Sequence, residues 1–328
     1  MRHHIADWRP GASLEVTRAR AAMLSAVRDF FAERKVLEVE TPLLASSFGT
    51  EPSIEPLRSE FTGPGHAAGR QLYLQSSPEF FMKRLLADGI GPIYQVCKAF
   101  RNGEAGRLHN PEFSILEWYR PGFSVDQLMD ELAKLVVGLL GQAELPVRYR
   151  SYAELFAEEL AVDCLESDAE RLRQVAIAHN LIGAESLDMN RDGWLNLLMG
   201  SLLEQRLGNG ELCFVTDYPA SQASLARINP DDPRTARRFE LYYQGVELAN
   251  GFEELADPDE QAQRFEHENC VRRARGQQPM PVDDYLLGAL QSGLPACSGV
   301  ALGLDRLLMC ALQLDDIDQV IGFSLGRV

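Results

Sequence analysis

The clearest pattern of hydrophobic and polar positions lies between residues 94 and 119. Residues 94–101 are mostly apolar, and residues 102–111 are polar and contain glycine, which is typical of a loop. Residues 112–119 then alternate with a period of two, which predicts a second strand. One face of that strand would carry Phe113, Ile115, Glu117 and Tyr119, because side chains on one face recur at every second residue. This mixture of a carboxylate, a phenol and an aromatic ring on one face predicts that the strand lines a ligand site. The alternative interpretation is an amphipathic hairpin with a solvated loop.

The remaining periodicity predicts one domain over residues 1–328. Helices are predicted over residues 16–35, 76–87, 125–140, 257–275 (mostly solvated) and 282–290. Strands are predicted over residues 36–40, 71–75, 211–216, 237–243 and 246–249, and a glycine-rich strand from Gly299 runs into a helix that opens with Asp305 and Arg306. Irregular chain is predicted for residues 1–16, loops with a short hairpin for residues 45–70, and a helical insertion outside the sheet for residues 141–210.

Glu79 has two interpretations at the start of its predicted helix. Ser76 and Glu79 have the spacing of a capping box, and Pro78 would lie in the first turn. Glu79 would then only cap the helix. The alternative is a carboxylate that faces the ammonium group of a ligand.

Composition narrows the class of protein. The chain has 328 residues, of which 45% are hydrophobic and 24% charged, as in ordinary soluble domains. No apolar run approaches the roughly 20 residues of a membrane helix, and MRHHIADW lacks the apolar core of a signal peptide. Six cysteines without a CxxC pair fit a reducing cytoplasm. The net charge of −16 argues against a large polynucleotide partner.

Three separated stretches occur in an order that resembles a known enzyme family. They are VLEVETPL after an amphipathic helix, FRNGEAGRLHNPEFSILEWYR, and GVALGLDRLL. They resemble motifs 1, 2 and 3 of class II aminoacyl-tRNA synthetases. The resemblance implies an α+β fold with an antiparallel sheet flanked by helices, a homodimer formed through the first helix and strand, and activation of a carboxylic acid by ATP.

The same resemblance implies roles for the residues around ATP. Arg101 and Arg306 would be catalytic, and Glu240 and Glu247 would hold Mg²⁺ against the phosphates. The ATP-binding residues would be Arg101, Asn102, Gly103, Glu104, His109, Asn110, Phe113, Glu247, Leu248, Gly303 and Arg306. Such chemistry depends on positioning and charge neutralisation rather than on a covalent nucleophile.

Within the class, SPEFFMKRL and VELANGFEEL resemble lysyl-tRNA synthetases. That resemblance implies a pocket for a diamino acid, in which buried ammonium groups meet carboxylates. The substrate-binding residues would be Ser77, Pro78, Glu79, Glu117, Tyr119, Asn250, Glu254 and Ala301. Glu79 would meet the amino group nearest the substrate carboxylate, and Glu117, Tyr119 and Glu254 would meet the distal one.

The predicted first helix begins near residue 16, which leaves no room for an N-terminal OB-fold anticodon-binding domain. The chain therefore resembles a paralogous group of lysyl-tRNA synthetases that attaches (R)-β-lysine to a lysine of elongation factor P. This resemblance implies elongation factor P as the partner and argues against anticodon recognition and a tRNA partner. A truncated lysyl-tRNA synthetase and a non-catalytic regulator are the alternatives.

Two positions depart from the pattern of lysyl-tRNA synthetases. Gly103 stands where the family has a glutamate that contacts the adenine amino group, although Glu104 follows directly. Ala301 stands where the family has glycine. The extra methyl group would crowd an α-amino group and favour a β-amino acid, with a discrimination of about 1–3 kcal/mol.

Overall fold

The computed structural model describes residues 8–328, so residues 1–7 of the predicted irregular lead-in lie outside the described part of the chain. The helices of the described part are α1 Leu14–Glu33, α2 Glu79–Ala87, α3 Val125–Leu140, α4 Tyr152–Leu160, α5 Ala169–Ala178, α6 Arg191–Leu198, α7 Pro258–Ala274, α8 Asp284–Gly293 and α9 Leu304–Ala311. The strands are β1 Leu37–Glu38, β2 Leu44–Ala45, β3 Leu57–Phe61, β4 Arg70–Leu74, β5 Ile93–Phe100, β6 Glu112–Pro121, β7 Val147–Ser151, β8 Leu212–Pro219, β9 Thr235–Tyr243, β10 Val246–Glu253 and β11 Cys297–Gly303.

An eight-stranded sheet forms the centre of the structure, in the order β1-β5-β6-β11-β10-β9-β8-β7. Its six inner strands pair antiparallel, whereas β1 and β7 pair parallel at the two edges. A separate three-stranded sheet has the order β2-β4-β3. The predicted α+β fold with an antiparallel sheet and flanking helices is confirmed. The two parallel edge strands make the sheet mixed.

The predicted alternation along β6 is confirmed. Leu116 and Trp118 are buried in the main hydrophobic core, which includes residues of α1, α3 and α9. Glu117 and Tyr119 lie on the opposite face and line a large cavity. One face of β6 therefore packs into the apolar core, and the other carries Glu117 and the Tyr119 hydroxyl to the cavity.

Directly paired residues extend this cavity face across four strands. Glu117 of β6 pairs with Ala301 of β11, and Ala301 also pairs with Asn250 of β10. Asn250 in turn pairs with Glu240 of β9. Because paired residues of antiparallel strands lie side by side on the same face, the register alone gathers four predicted site residues into one row.

The region predicted as a helical insertion, residues 141–210, differs from the prediction in two respects. Residues 147–151 form β7 and extend the sheet. The helices that follow pack on the cavity face of the sheet, where Trp194 and Leu198 share a core with Val215 and Tyr242. The insertion therefore covers that face at β8 and β9 instead of lying outside the sheet.

The first predicted motif is confirmed for its helix and is shorter in its strand. α1 begins after Ser13, whose side-chain oxygen accepts a hydrogen bond from the Val16 amide, and it buries Met23, Val27 and Phe31. The predicted strand over residues 36–40 is reduced to the two residues of β1. No helix in residues 8–328 is both long enough and apolar enough to cross a membrane.

Helix α7 was predicted to be mostly solvated, but Arg272 on it is 0% exposed. Its guanidinium donates to the carbonyl oxygens of Gln278, Glu51 and Ile54 and pairs with the Glu55 carboxylate at 2.5 Å. The Asn102 amide donates to the Glu55 carbonyl oxygen. Arg272 therefore ties α7 to residues 51–55 and, through them, to the loop between β5 and β6.

We expect Arg272→Ala to lower the free energy of unfolding by about 3 kcal/mol or more, because several buried acceptors lose their donor. Arg273→Ala is the matched control, since Arg273 is half-exposed and pairs only with groups at the surface. Urea unfolding of both variants measures the difference. Equal losses for the two variants would contradict the structural role of Arg272.

Candidate active site

A cavity of about 740 Å³ lies on the polar face of the central sheet. Its walls come from the insertion, from α7 and from residues 48–54. The predicted residues that line it are Ser77, Glu79, Arg101, Glu104, His109, Asn110, Phe113, Glu117, Tyr119, Glu240, Glu247, Leu248, Asn250, Glu254, Ala301, Gly303 and Arg306. The predicted residues that do not line it are Pro78, Asn102 and Gly103. The acidic end of the cavity contains Glu79, Glu117 and Glu254, and the other end contains Arg101 and Arg306 together with carboxylates such as Glu104 and Glu247.

At the acidic end, Glu117 is 2% exposed and both of its oxygens accept hydrogen bonds. The Ser77 hydroxyl donates to Oε2 at 2.7 Å, and the Tyr119 hydroxyl donates to Oε1 at 2.6 Å. Burial, together with the nearby charge of Glu79, raises the pKa of Glu117 to about 8. This shift favours the protonated form of the carboxyl group, and a cation beside it would favour the ionised form.

Glu254 and Glu79 share one buried cation. The ammonium of Lys83 lies 2.6 Å from Glu79 Oε1 and 2.6 Å from Glu254 Oε2. Burial lowers the pKa of Lys83, but the carboxylates of Glu254 and Glu79 outweigh this effect and hold it above its ordinary value. Burial, opposed by Lys83, raises the pKa of Glu254 to about 7. Sequence reasoning missed Lys83, although its position four residues after Glu79 on one helix was a usable signal.

The capping-box prediction for α2 is wrong. Pro78 occupies the N-cap position and no side chain caps the helix, while the Glu79 amide donates to the Ser77 hydroxyl at 3.0 Å. The Glu79 carboxylate instead turns to Lys83 and the cavity. Of the two interpretations of Glu79, helix capping is therefore excluded by the geometry.

Glycine is required at residue 299 for the acidic groups to approach the sheet. A Cβ atom there would lie 2.3 Å from the Tyr119 ring and 2.5 Å from Glu254 Oε1. Two residues further along the same strand, Ala301 carries its methyl group into the cavity between its neighbours Glu117 and Asn250. Gly299 of β11 thus leaves space for the Tyr119 ring, and Ala301 narrows the cavity next to it.

At the other end, Arg306 is held by backbone and side-chain acceptors. Its Nη1 donates to the Glu247 carbonyl oxygen at 2.9 Å and to Glu247 Oε2 at 3.2 Å, and its Nη2 lies 2.7 Å from His109 Nε2. Burial, followed by the charge of Arg306, lowers the pKa of His109. His109 is therefore neutral at pH 7, which allows its ring nitrogen to accept from the arginine.

Arg101 is the freer of the two arginines. Its guanidinium lies 5.3 Å from the centre of the Phe113 ring and 3.7 Å from Glu104 Oε1. Its Nε atom is buried and finds no hydrogen-bond partner among the described residues. An unsatisfied buried donor is costly unless a ligand completes it. Arg101 is therefore available to an anionic group such as a phosphate or a carboxylate.

The departure at Gly103 has a backbone explanation. Gly103 has φ +83°, a left-handed conformation that suits glycine, and a side chain there would enter open space. Glu104, one residue on, lines the cavity close to Arg101 and His109. At this point of the loop the carboxylate comes from residue 104, not from residue 103.

The predicted magnesium ligands lie on neighbouring strands, and one of them is already engaged. Glu240 accepts from the hydroxyls of Tyr218 and Tyr242 and from the Arg238 guanidinium, at 2.5–2.6 Å. Among residues 8–328, the Glu247 carboxylate forms a hydrogen bond and ion pair with Arg306 alone. Within residues 8–328 no three His, Cys, Asp or Glu side chains lie close enough together to hold a metal by themselves. Carboxylates that share Mg²⁺ with substrate phosphates need no such cage, so these residues fit the ion.

The insertion supplies a carboxylate that sequence reasoning missed. Glu204 lines the cavity, and burial together with the charges of Glu247 and Glu240 raises its pKa to about 7. The side chains of Tyr218, Arg238 and Tyr242 around Glu240 were also missed. Arg238 and Tyr242 flank Glu240 at a spacing of two residues, so strand alternation was a usable signal for them. No local pattern marked Glu204.

The fold and the cavity define the class of protein. The family model for tRNA synthetases class II (D, K and N) matches residues 1–326. The chain belongs to this class II synthetase family, and it is a ligase.

Closely similar relatives match almost the whole chain. The protein of Photobacterium profundum named elongation factor P–(R)-β-lysine ligase is 49% identical over 318 residues, which cover 97% of this chain and 98% of the relative. Proteins of the same name from Vibrio vulnificus and Salmonella arizonae are 49% identical over 320 residues and 46% identical over 322 residues. Both of these matches also cover 97–98% of this chain and 98% of the relative.

We expect binding of a diamino acid to release protons at pH 7, because ammonium groups favour the ionised forms of Glu117 and Glu254, whose pKa values are about 8 and about 7. Protons compete with the ligand, so its affinity should rise as the pH increases through 7 and 8. Calorimetric titration in two buffers with different ionisation enthalpies measures the protons released. Glu117→Gln should reduce that number. A pH-independent affinity without proton release would contradict the assignment.

Proposed function

We propose that this chain activates (R)-β-lysine with ATP and transfers it to a lysine side chain of elongation factor P. The relatives that match nearly its whole length carry that name. The observation that supports the substrate class is the buried acidic end of the cavity, where Glu79, Glu117 and Glu254 converge. Buried cations need paired anions, and a diamino acid brings two ammonium groups to such a pocket.

In the first proposed step, a carboxylate oxygen of the amino acid attacks the α-phosphorus of ATP. A new P–O bond forms and the bond to pyrophosphate breaks. Arg101 would hold the carboxylate and the α-phosphate together through its planar fork of donors, and Arg306 would hold the γ-phosphate. Phe113 beside Arg101 offers an aromatic face for the adenine. Positioning and charge neutralisation supply the catalysis, without a nucleophile on the protein.

Magnesium would bind between the protein carboxylates and the phosphates of ATP. Glu247 and Glu240 are the residues that would hold it, and the side chain of Glu204 faces the same part of the cavity. The bound ion would neutralise negative charge on the phosphates. The protein's own contribution is to hold these carboxylates in place through Arg306, Tyr218 and Tyr242.

In the second proposed step, the neutral ε-amine of a lysine on elongation factor P attacks the carbonyl carbon of the adenylate. A C–N bond forms, the C–O bond to the phosphate breaks, and AMP leaves. The displaced proton passes to solvent or to a phosphate oxygen of the departing AMP. The net result is an amide between β-lysine and the acceptor side chain.

We further propose that the enzyme acts as a homodimer in the cytoplasm. The motif formed by α1 and β1 exposes apolar side chains: Leu14 is 64% exposed and Leu37 is 53% exposed. Coverage of such side chains by a second copy would remove apolar surface from water. Sedimentation at micromolar concentration should show a dimer, and Leu37→Glu should shift it towards monomer. A wild-type protein that sediments only as a monomer would contradict this proposal.

The distinguishing experiment for the proposed function is ATP–pyrophosphate exchange with β-lysine and α-lysine in parallel. The Ala301 methyl group occupies volume beside the substrate, which β-lysine tolerates because its amino group lies one carbon further from the carboxylate. We expect the wild type to prefer β-lysine. Ala301→Gly should narrow the preference by about ten- to a hundredfold, the upper end of the effect of a methyl group.

The matched control is Ala236→Gly, the same substitution in β9 at a residue that does not line the cavity. It should leave the preference unchanged. A wild type that prefers α-lysine and transfers it to tRNA would support the alternative of a truncated lysyl-tRNA synthetase. A wild type that exchanges pyrophosphate with neither amino acid would support a non-catalytic protein.

A further inference from the structure

Lys83 is a lysine that neither reaches solvent nor lines the cavity. Its side chain is 1% exposed, and it stands behind Glu79 and Glu254, both of which do line the cavity. Its Nζ atom is 2.6 Å from an oxygen of each. Since Glu79 belongs to α2 and Glu254 follows β10, the ammonium joins two carboxylates that reach the cavity from different elements.

The charges around this bridge can be counted from the groups that face the acidic end. Three carboxylates lie there, on Glu79, Glu117 and Glu254. Burial raises the pKa of the Tyr119 phenol and of the Cys297 thiol, so both stay neutral. With the carboxylates ionised, the single ammonium of Lys83 leaves two negative charges. A diamino acid brings two ammonium groups, while its carboxylate is directed to Arg101.

A purely structural explanation of Lys83 is weak. Replacing buried ion pairs by apolar residues of similar volume is often neutral or stabilising, because the charges no longer have to be desolvated. α2 is otherwise anchored by buried apolar side chains, among them Phe80, Met82 and Leu86. A methionine at residue 83 could fill the same space. Only a cation at this position can hold the Glu79 and Glu254 carboxylates at a fixed distance and neutralise part of their negative charge.

We propose that Lys83 is a positioning residue for the diamino acid. Its ammonium bridges Glu79 and Glu254 on the side away from the cavity, and it reduces the net charge of the three carboxylates to −2, which the two ammonium groups of the substrate neutralise. The proposal rests on the proposed function and assigns part of its specificity to a residue that does not touch the substrate. Without the ammonium, the two carboxylates repel each other. They then either move apart or retain a proton that the substrate must displace.

The central test is the pH dependence of Lys83→Met in ATP–pyrophosphate exchange. At pH 7 the KM for the diamino acid should rise about tenfold or more, because the loss of an opposite charge raises the pKa of a carboxyl group by about one to three pH units. The KM for ATP should stay near the wild-type value. Raising the pH should recover much of the loss, and the pH profile should be displaced to higher pH. A packing defect would not displace that profile.

Two further variants complete the experiment. Lys98→Met is the matched control, since Lys98 is 44% exposed and pairs with Glu112 away from the cavity. It should leave both KM values and the pH profile unchanged. Lys83→Arg keeps the charge but changes the geometry. It should keep the wild-type pH profile while raising the KM for the diamino acid, because a guanidinium cannot reproduce both short contacts.

The outcomes separate this proposal from the proposed function. Wild type that exchanges pyrophosphate with no diamino acid overturns the proposed function. If the wild type is active and Lys83→Met leaves the KM for the diamino acid and the pH profile unchanged, only the role of Lys83 is overturned. The same conclusion follows if Lys83→Met raises the KM for ATP and the KM for the diamino acid equally. If Lys83→Met fails to fold, Lys83→Arg decides: a wild-type KM for the diamino acid in that variant contradicts positioning by Lys83.

Discussion

The register of the central antiparallel strands is the constraint on which the site depends. It lines up Glu117, Ala301, Asn250 and Glu240 as direct neighbours on one face of β6, β11, β10 and β9. The residues next to them along each strand, such as Leu302 beside Ala301, are buried in the core on the other face. Since a slip by one residue would exchange the two faces, the burial of the apolar set fixes the position of every polar group in the row.

This arrangement concentrates charge that the fold itself does not need. Carboxylates that are buried close together are unfavourable, and the raised pKa values of Glu117 and Glu254 are the direct sign of that cost. Hydrogen bonds from Ser77 and Tyr119 and the ammonium of Lys83 offset part of it. The remaining deficit is one that a cationic substrate can relieve. Under the proposed function, this incomplete neutralisation of the carboxylates is the basis on which a diamino acid would be recognised.

The cavity contains two clusters of charged side chains. Arg101 and Arg306 lie beside His109 and the carboxylates of Glu104 and Glu247, whereas Glu79, Glu117 and Glu254 converge near Lys83 and Tyr119. Under the proposed function, the carboxylate of the substrate would meet Arg101 and its ammonium groups would meet the second cluster. The insertion over residues 141–210 covers the part of the sheet between β8 and β9 and brings Glu204 to the cavity. The insertion therefore contributes residues to the cavity as well as packing on the sheet.

Local patterns in the sequence were sufficient for the elements that carry a clear period. Alternation along β6 predicted both of its faces, because a strand has a side-chain period of two whatever surrounds it. The hairpin of β9 and β10 and the strand–helix unit of β11 and α9 were predicted for similar reasons. The identity of the motif residues came from family resemblance, and the structure gathers most of them into one cavity.

Other features depend on contacts between distant parts of the chain, which no local period records. β7 joins the sheet because β8 offers it a parallel edge, and Arg272 is buried because residues 51–55 fold over it. Glu79 does not cap its helix because Lys83 and Glu254, more than 170 residues apart in sequence, meet beside it. The sequence alone therefore determined which faces are apolar and which carry the reactive groups. The tertiary structure decided which charges share a pocket, because the energy of a buried charge depends on neighbours in space.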